Sequence, residues 1–336
     1  MRTLVLGLAL TLSGCAASHG PRAPRAAQHR STPSTARVLG AEGWRCDGSA
    51  LFAPLLPAAE HARRVAALDE ARKQWDKAPE DPDALIWVGR RLGYLGRMRE
   101  AIDVFGIGVE RFPGDARMLR HRGHRYISVR EFELARADLE RAAKLVAGRA
   151  DEVEPDGQPN AAGVPLETLH SNIHYHLGLA CFLLGDYAAA ERGFRDALAA
   201  ARNADNQCSS THWLYLSLRK QGRHADAARA VETVRPIRDV LEYRGYFELC
   251  RGYLGEMALD EVFERAKSRG GVERGTCGFG AAMWWAFEGD AARSTKLLRD
   301  VVQGDNPFAF GFIAAEVELA NASAESDARG SAESAR

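Results

Sequence analysis

Two histidines stand three residues apart in a run of arginines, Arg120-His121-Arg122-Gly123-His124-Arg125. Imidazoles at i and i+3 share one edge of a helix. They could give two ligands to a metal or, with the guanidinium groups, cradle a phosphate or carboxylate. A metal needs a third and fourth ligand, and neither HExxH nor CxxC occurs in the chain. Ser209-Ser210-Thr211-His212 sets hydroxyls beside an imidazole, but near neighbours at a helix start do not make a positioned triad. There is no GxSxG, no P-loop and no GxGxxG after a strand. Asp151, Glu152, Glu154 and Asp156 cluster without the spacing of a calcium-binding loop. Met283-Trp284-Trp285 is aromatic at packing positions. The expectation is a chain that is no enzyme, with no metal and no cofactor. What remains is recognition, and recognition depends on the elements that hold these side chains.

The bulk numbers narrow the class. Hydrophobic residues make up 46% and charged residues 27% of 336, ordinary for a soluble folded protein. Lys plus Arg equals Asp plus Glu at 45 each, so general nucleic-acid binding, which needs a positive excess, is not expected. Met1-Arg2, the apolar run 4–12 and Leu12-Ser13-Gly14-Cys15 resemble a bacterial lipobox. That resemblance implies a signal peptide over 1–14 and a lipid-modified (palmitate-type) Cys15. It also implies anchoring in the cell envelope without a transmembrane helix. Ala16, neutral after the cysteine, favours the outer membrane, facing the periplasm, over the inner membrane. Residues 15–50 then read as a flexible linker rich in Pro, Ala, Ser, Gly and Arg. Cys46, Cys181, Cys208, Cys250 and Cys277 are odd in number, and their spacing suits small core residues better than a disulfide framework.

Beyond the linker the pattern is helical and repeats. Between LIWVGRRLGYLGRMREAIDVF (85–105) and LRHRGHRYISVREFELARADL (119–139), Gly89 and Gly123, Ala101 and Ala135, and Phe105 and Leu139 are each 34 apart. Gly178, Ala190 and Phe194 continue the register after a 21-residue insertion, and Ala227 and Val231 carry it on after 37 more. Pro79 and Pro113 close successive units, and Gly222, Gly255 and Gly289 mark later turns at steps of 33 and 34. The period and the Gly, Ala and Phe positions resemble the tetratricopeptide repeat (TPR). That resemblance implies an all-α solenoid, a right-handed superhelix of helix pairs whose first helices line a concave groove. The solenoid is expected over 51–320. Its clearest repeats are 82–149 and 171–235, with degenerate repeats over 236–304, an insertion at 148–170 and a capping helix at 307–320. A single helix over 58–78 caps the other end, and the tail 321–336 reads as disordered.

The register places Arg90, Tyr94, Arg117, Arg120, His124, Tyr175, His212, Arg219 and Lys220 on or beside the groove. Guanidinium groups grip carboxylates bidentately and tyrosines offer rigid area, so this stripe suits an acidic or carboxylate-ended peptide. It could also be a solvated basic face. The carboxylate clamp of some TPR proteins is not carried over, because its residues do not match here. The acidic insertion could fold toward the basic groove as a lid. The expected role is a membrane-anchored scaffold for envelope proteins; an accessory or regulatory subunit of an envelope enzyme, such as a cell-wall hydrolase, is the alternative, and an enzyme with an unrecognised site a remote one.

Overall fold

The computed structural model describes residues 38–334. The signal peptide, Cys15 and the linker up to residue 37 lie outside the described residues. A short hairpin of β1 (Gly43–Trp44) and β2 (Ala50–Leu51) comes first, then the helix α1 (Ala58–Lys77). Helix pairs follow: α2 (Pro82–Tyr94) with α3 (Met98–Arg111), α4 (Ala116–Ser128) with α5 (Phe132–Val146), and α6 (Leu169–Leu183) with α7 (Tyr187–Ala200). After them come α8 (Ala204–Lys220) with α9 (His224–Glu232), α10 (Arg244–Tyr253) with α11 (Leu259–Lys267), and α12 (Gly271–Phe287) with α13 (Ala291–Val301). The last element is α14 (Phe310–Ser334).

The repeat positions explain the pairing. A Cβ on Gly89 would sit 2.4 Å from the Phe105 ring, so only glycine lets α2 close onto α3, and Gly178 meets Phe194 in the same way. Ala101, Ala135, Ala190 and Ala227 are fully buried on the second helices. Helix starts repeat as well. Asp81 and Asp115, 34 apart, cap α2 and α4 by accepting from the N–H groups of Asp83 and Arg117 at 2.9 Å each. Turns within the pairs use Gly96, Gly185, Gly222, Gly255 and Gly289 at φ between 73° and 87°. In the α4–α5 turn that position belongs to Arg130, one period after Gly96, at φ 66°. A left-handed non-glycine residue costs about 1–2 kcal/mol. Arg130 offsets this through its side chain, which is buried against α14.

Three expectations change. The linker was expected to run to residue 50, yet residues 42–51 are folded onto the array. The backbone N–H of Arg99 donates to Glu42 at 2.8 Å, and Arg45 pairs with Glu316 of α14 at 2.5 Å. The capping helix does not stop at residue 320 but runs to Ser334, because 321–334 are mostly alanine, glutamate and serine with no proline to end a turn. Nor does α14 simply cover the last pair. It returns across the array: Arg130 donates to Glu316 at 2.8–2.9 Å and to the Pro307 carbonyl at 2.8 Å, and Lys220 pairs with Glu318 at 2.7 Å. Among the described residues no helix is long and apolar enough to cross a membrane. The five described cysteines are all free.

Candidate functional site, a cavity lined by the first helices

The first helices α2, α4, α6, α8, α10 and α12, with the insertion and Phe310 of α14, surround a cavity of about 520 Å³. That volume lies within the range of sites that enclose a ligand. Five residues of the expected stripe line it: Arg90, Tyr94, Arg120, His124 and Tyr175. The other four do not. Arg117 is held at the repeat edge by its own cap Asp115 and by Asp83 of the preceding unit, each at 2.6 Å. His212 is fully buried one layer deeper, 3.0 Å from the Tyr253 hydroxyl. Arg219 bonds Tyr215 at 2.7 Å and Glu288 at 3.0 Å over the Phe287 ring. Lys220 serves α14 through Glu318. The stripe is therefore not one continuous basic groove, since its far end is neutralised by the chain's own carboxylates.

His121 and His124 have different tasks. His121 stacks on Phe105 with centroids 5.2 Å apart, while His124 lies 4.4 Å from His176 and 5.3 Å from Phe310. Burial, then the neighbouring arginines, pushes His121 and His124 well below the ordinary histidine range, and the same causes bring His176 to about 3. His124 is thus a neutral wall of the cavity and not part of a basic stripe. No group of three or more potential metal ligands occurs among the described residues. Arg122 turns away to clasp Asp138 at 2.7 and 2.8 Å.

The insertion forms one wall. Glu154, buried, pairs with Arg120 at 2.6 Å and accepts from Asn172 at 2.6 Å. The carbonyl of Pro155 accepts from Arg90 at 2.6 Å, and Asn160 reaches across to Glu242 at 2.7 Å. Of the four clustered acids, Glu154 alone reaches the arginines of the groove. Asp151 caps the start of α6 through the His170 N–H at 2.9 Å.

Sequence reasoning missed Arg125, His176, Glu167, Glu242, Tyr243, Tyr246 and Phe310 on the lining. Arg125 is central. Among the described residues its guanidinium donates to the Met98 sulfur at 3.5 Å, and no carboxylate pairs with it. Burial, reinforced by Arg120, pushes the guanidinium down to about 10. Arg90 likewise has no carboxylate partner, only the Tyr94 hydroxyl, the Pro155 carbonyl and the Trp87 face. Arg125 lies one residue beyond His124 and five beyond Arg120, so the flanking basic run was the available signal.

No protein-family model matches the chain, and no curated protein matches it. Solved structures of low similarity include a tetratricopeptide repeat protein from Parabacteroides merdae at 14% identity and TM-score 0.44, covering 78% of this chain and 94% of that one. A thermophilic TPR protein of Thermus thermophilus is 20% identical with TM-score 0.42, covering 56% and 91%. YrrB, described as a TPR protein with an unusual peptide-binding site, is 14% identical with TM-score 0.41, covering 70% and 93%. The 34-residue spacing from Gly89 to Gly123 and from Ala101 to Ala135, realised as stacked helix pairs, makes the fold a TPR-type α-solenoid.

Proposed function

We propose that this protein is a binding scaffold, lipid-anchored through Cys15 in the bacterial envelope, whose concave cavity receives a carboxylate-bearing segment of a partner protein. The observation that carries the proposal is Arg125, a guanidinium that faces the cavity and that no described carboxylate pairs with. An unpaired buried charge costs several kcal/mol and is retained where something pairs with it. Arg90 stands on the same wall with free donor capacity. Because Phe310 of α14 and the insertion wall the cavity, it suits a chain end better than a long peptide threaded through an open groove.

Fluorescence polarisation with short acetylated peptides tests this. A free C-terminal carboxylate should bind at least about tenfold more tightly than its amide, and Arg125→Met should abolish the difference. Equal binding of acid and amide would remove the basis of the reading. Anchoring is checked separately, by whether Cys15→Ser releases the protein from the membrane fraction.

A further inference from the structure

The cavity has two electrical ends. Arg90, Arg120 and Arg125 lie on α2 and α4, with Arg120 already matched by Glu154. From other elements, the lining carries Glu167 at the end of the insertion, Glu242 just before α10 and Glu273 on α12. Glu167 accepts from Tyr243 at 2.6 Å and from Asn206 at 2.9 Å, and Glu242 accepts from Asn160, but neither forms an ion pair with any described cation. Glu273 accepts from the Gly245 N–H at 3.1 Å and has only a long contact, 3.5 Å, with Arg269. Burial raises the pKa of all three. Two unpaired cations on α2 and α4 and two unpaired anions from the segments before α6 and α10 thus line one cavity.

Aromatic faces accompany the acidic end. Tyr243 and Tyr246 lie with centroids 6.0 Å apart in an edge arrangement, and Tyr246 shares its hydroxyl with Tyr175 at 2.9 Å. The Tyr175 hydroxyl in turn accepts from the Trp213 indole at 2.8 Å, so the tyrosines are fixed in place. Carboxylates beside preset aromatic rings are the ordinary surroundings of a bound ammonium or guanidinium. Glu242 and Val272 are both exposed, which puts the mouth of the cavity at this end.

We infer that the ligand is a zwitterion: a carboxylate held by Arg90 and Arg125, with a cationic nitrogen on the same molecule held by Glu167 and Glu242 beside Tyr243 and Tyr246. This rests on the proposed carboxylate reading and narrows it. The shared chemistry is that of a peptide ending in lysine or arginine, or of a free basic amino acid. It excludes the simply acidic peptide that the basic stripe alone suggests, because a second carboxylate would meet Glu167 and Glu242.

The test is calorimetric titration of the folded protein with acetyl-Gly-Ala-Lys, acetyl-Gly-Ala-Ala, acetyl-Gly-Ala-Glu, the amide of the lysine peptide, and free L-lysine. The lysine peptide should bind at least about tenfold more tightly than the alanine peptide, with the glutamate peptide weakest. The double variant Glu167→Gln and Glu242→Gln keeps an amide oxygen to accept from Tyr243, Asn206 and Asn160 and should erase the lysine preference without lowering the melting temperature. Should free lysine bind as well as the lysine peptide, the zwitterion stands and its source is a small molecule. If alanine and lysine acids bind equally, the zwitterion is wrong and the carboxylate reading survives. If the lysine amide matches the acid, the carboxylate reading itself fails.

Discussion

Arg125 gives a prediction that separates a binding role from a structural one. Its guanidinium is enclosed by protein, faces the like charge of Arg120, and is held down from 12.5 to about 10. The folded chain therefore holds this proton less tightly than the unfolded chain does. The resulting penalty is present in full at every pH below about 10 and is relieved only as pH rises from 10 toward 12.5. At about 1.4 kcal/mol per pH unit, the penalty comes to about 3 kcal/mol. Water reaching the group through the cavity reduces it, and about 1 to 3 kcal/mol is the expected range. Arg125→Met keeps a long stem to pack beside Met98 and removes the charge. The variant should therefore be more stable than the parent, with urea midpoint and melting temperature both raised at pH 7, while losing carboxylate-peptide binding. A residue that lowers stability and is needed for binding is a site residue in the thermodynamic sense. A fall of more than about 1 kcal/mol in stability for Arg125→Met would mean that the guanidinium already has its partner. The cavity would then lack its central vacant cation, and the reasoning would fail.

Three further outcomes follow from the same geometry. Glu316→Gln leaves the buried Arg130 and the half-buried Arg45 without their carboxylate, so stability should fall by about 3 kcal/mol. Hydrogen exchange should rise first in residues 43–51 and 310–320, and unchanged exchange there would refute the clamp. A Cβ at Gly93 would lie 2.7 Å from the Arg125 Nη1, a flexible tip, so Gly93→Ala should weaken peptide binding several-fold while changing the unfolding free energy from urea titration by less than about 1 kcal/mol. Burial brings His176 and His212 down to about 3, so both stay neutral in the folded chain while their unfolded counterparts take up protons below about 6.5. Stability is accordingly lost as pH falls through 6.5 toward 3, by about 2 kcal/mol per histidine between pH 7 and pH 5. Flattening of that slope by His212→Phe, read from urea midpoints at both pH values, checks it.

The helix pairs were legible in the sequence because their signal is local and periodic. Gly89 against Phe105 and Ala101 against the neighbouring helix recur at fixed spacing, and each position answers one packing demand. The cavity was only partly legible. Arg90, Tyr94, Arg120, His124 and Tyr175 followed from register alone. Arg219 and Lys220 misled because register fixes which face a residue occupies and not what else arrives there. Glu288 and Glu318, 69 and 98 residues away in sequence, supply their partners. Glu242 and Tyr243 lie just outside the regular repeats and Phe310 on the returning helix, so no period could point to them.

That returning helix changes what a TPR-type array is able to bind. An open superhelix offers a trough that a long segment can follow, and its basic stripe would select for acidity along the whole length. Here the chain's own carboxylates take up stripe cations and others beside them. Glu316 takes Arg45 and Arg130, Glu318 takes Lys220, and Glu154 of the insertion takes Arg120. Arg130 stands in a left-handed turn where the preceding unit has Gly96, which ties the closure to a specific departure from the repeat. What is left is local: two guanidinium groups without carboxylates and two carboxylates without cations, facing one another inside about 520 Å³. On the proposed reading, selection by such a chamber acts on the shape and paired charge of one small ligand or chain end. Loosening it by Arg130→Gly, which keeps the turn conformation but leaves Glu316 with Arg45 alone, should broaden the peptides accepted, with the acetyl-Gly-Ala-Lys preference falling toward that of the alanine and glutamate peptides. Unchanged selectivity in that variant would show that the first helices discriminate without help from α14.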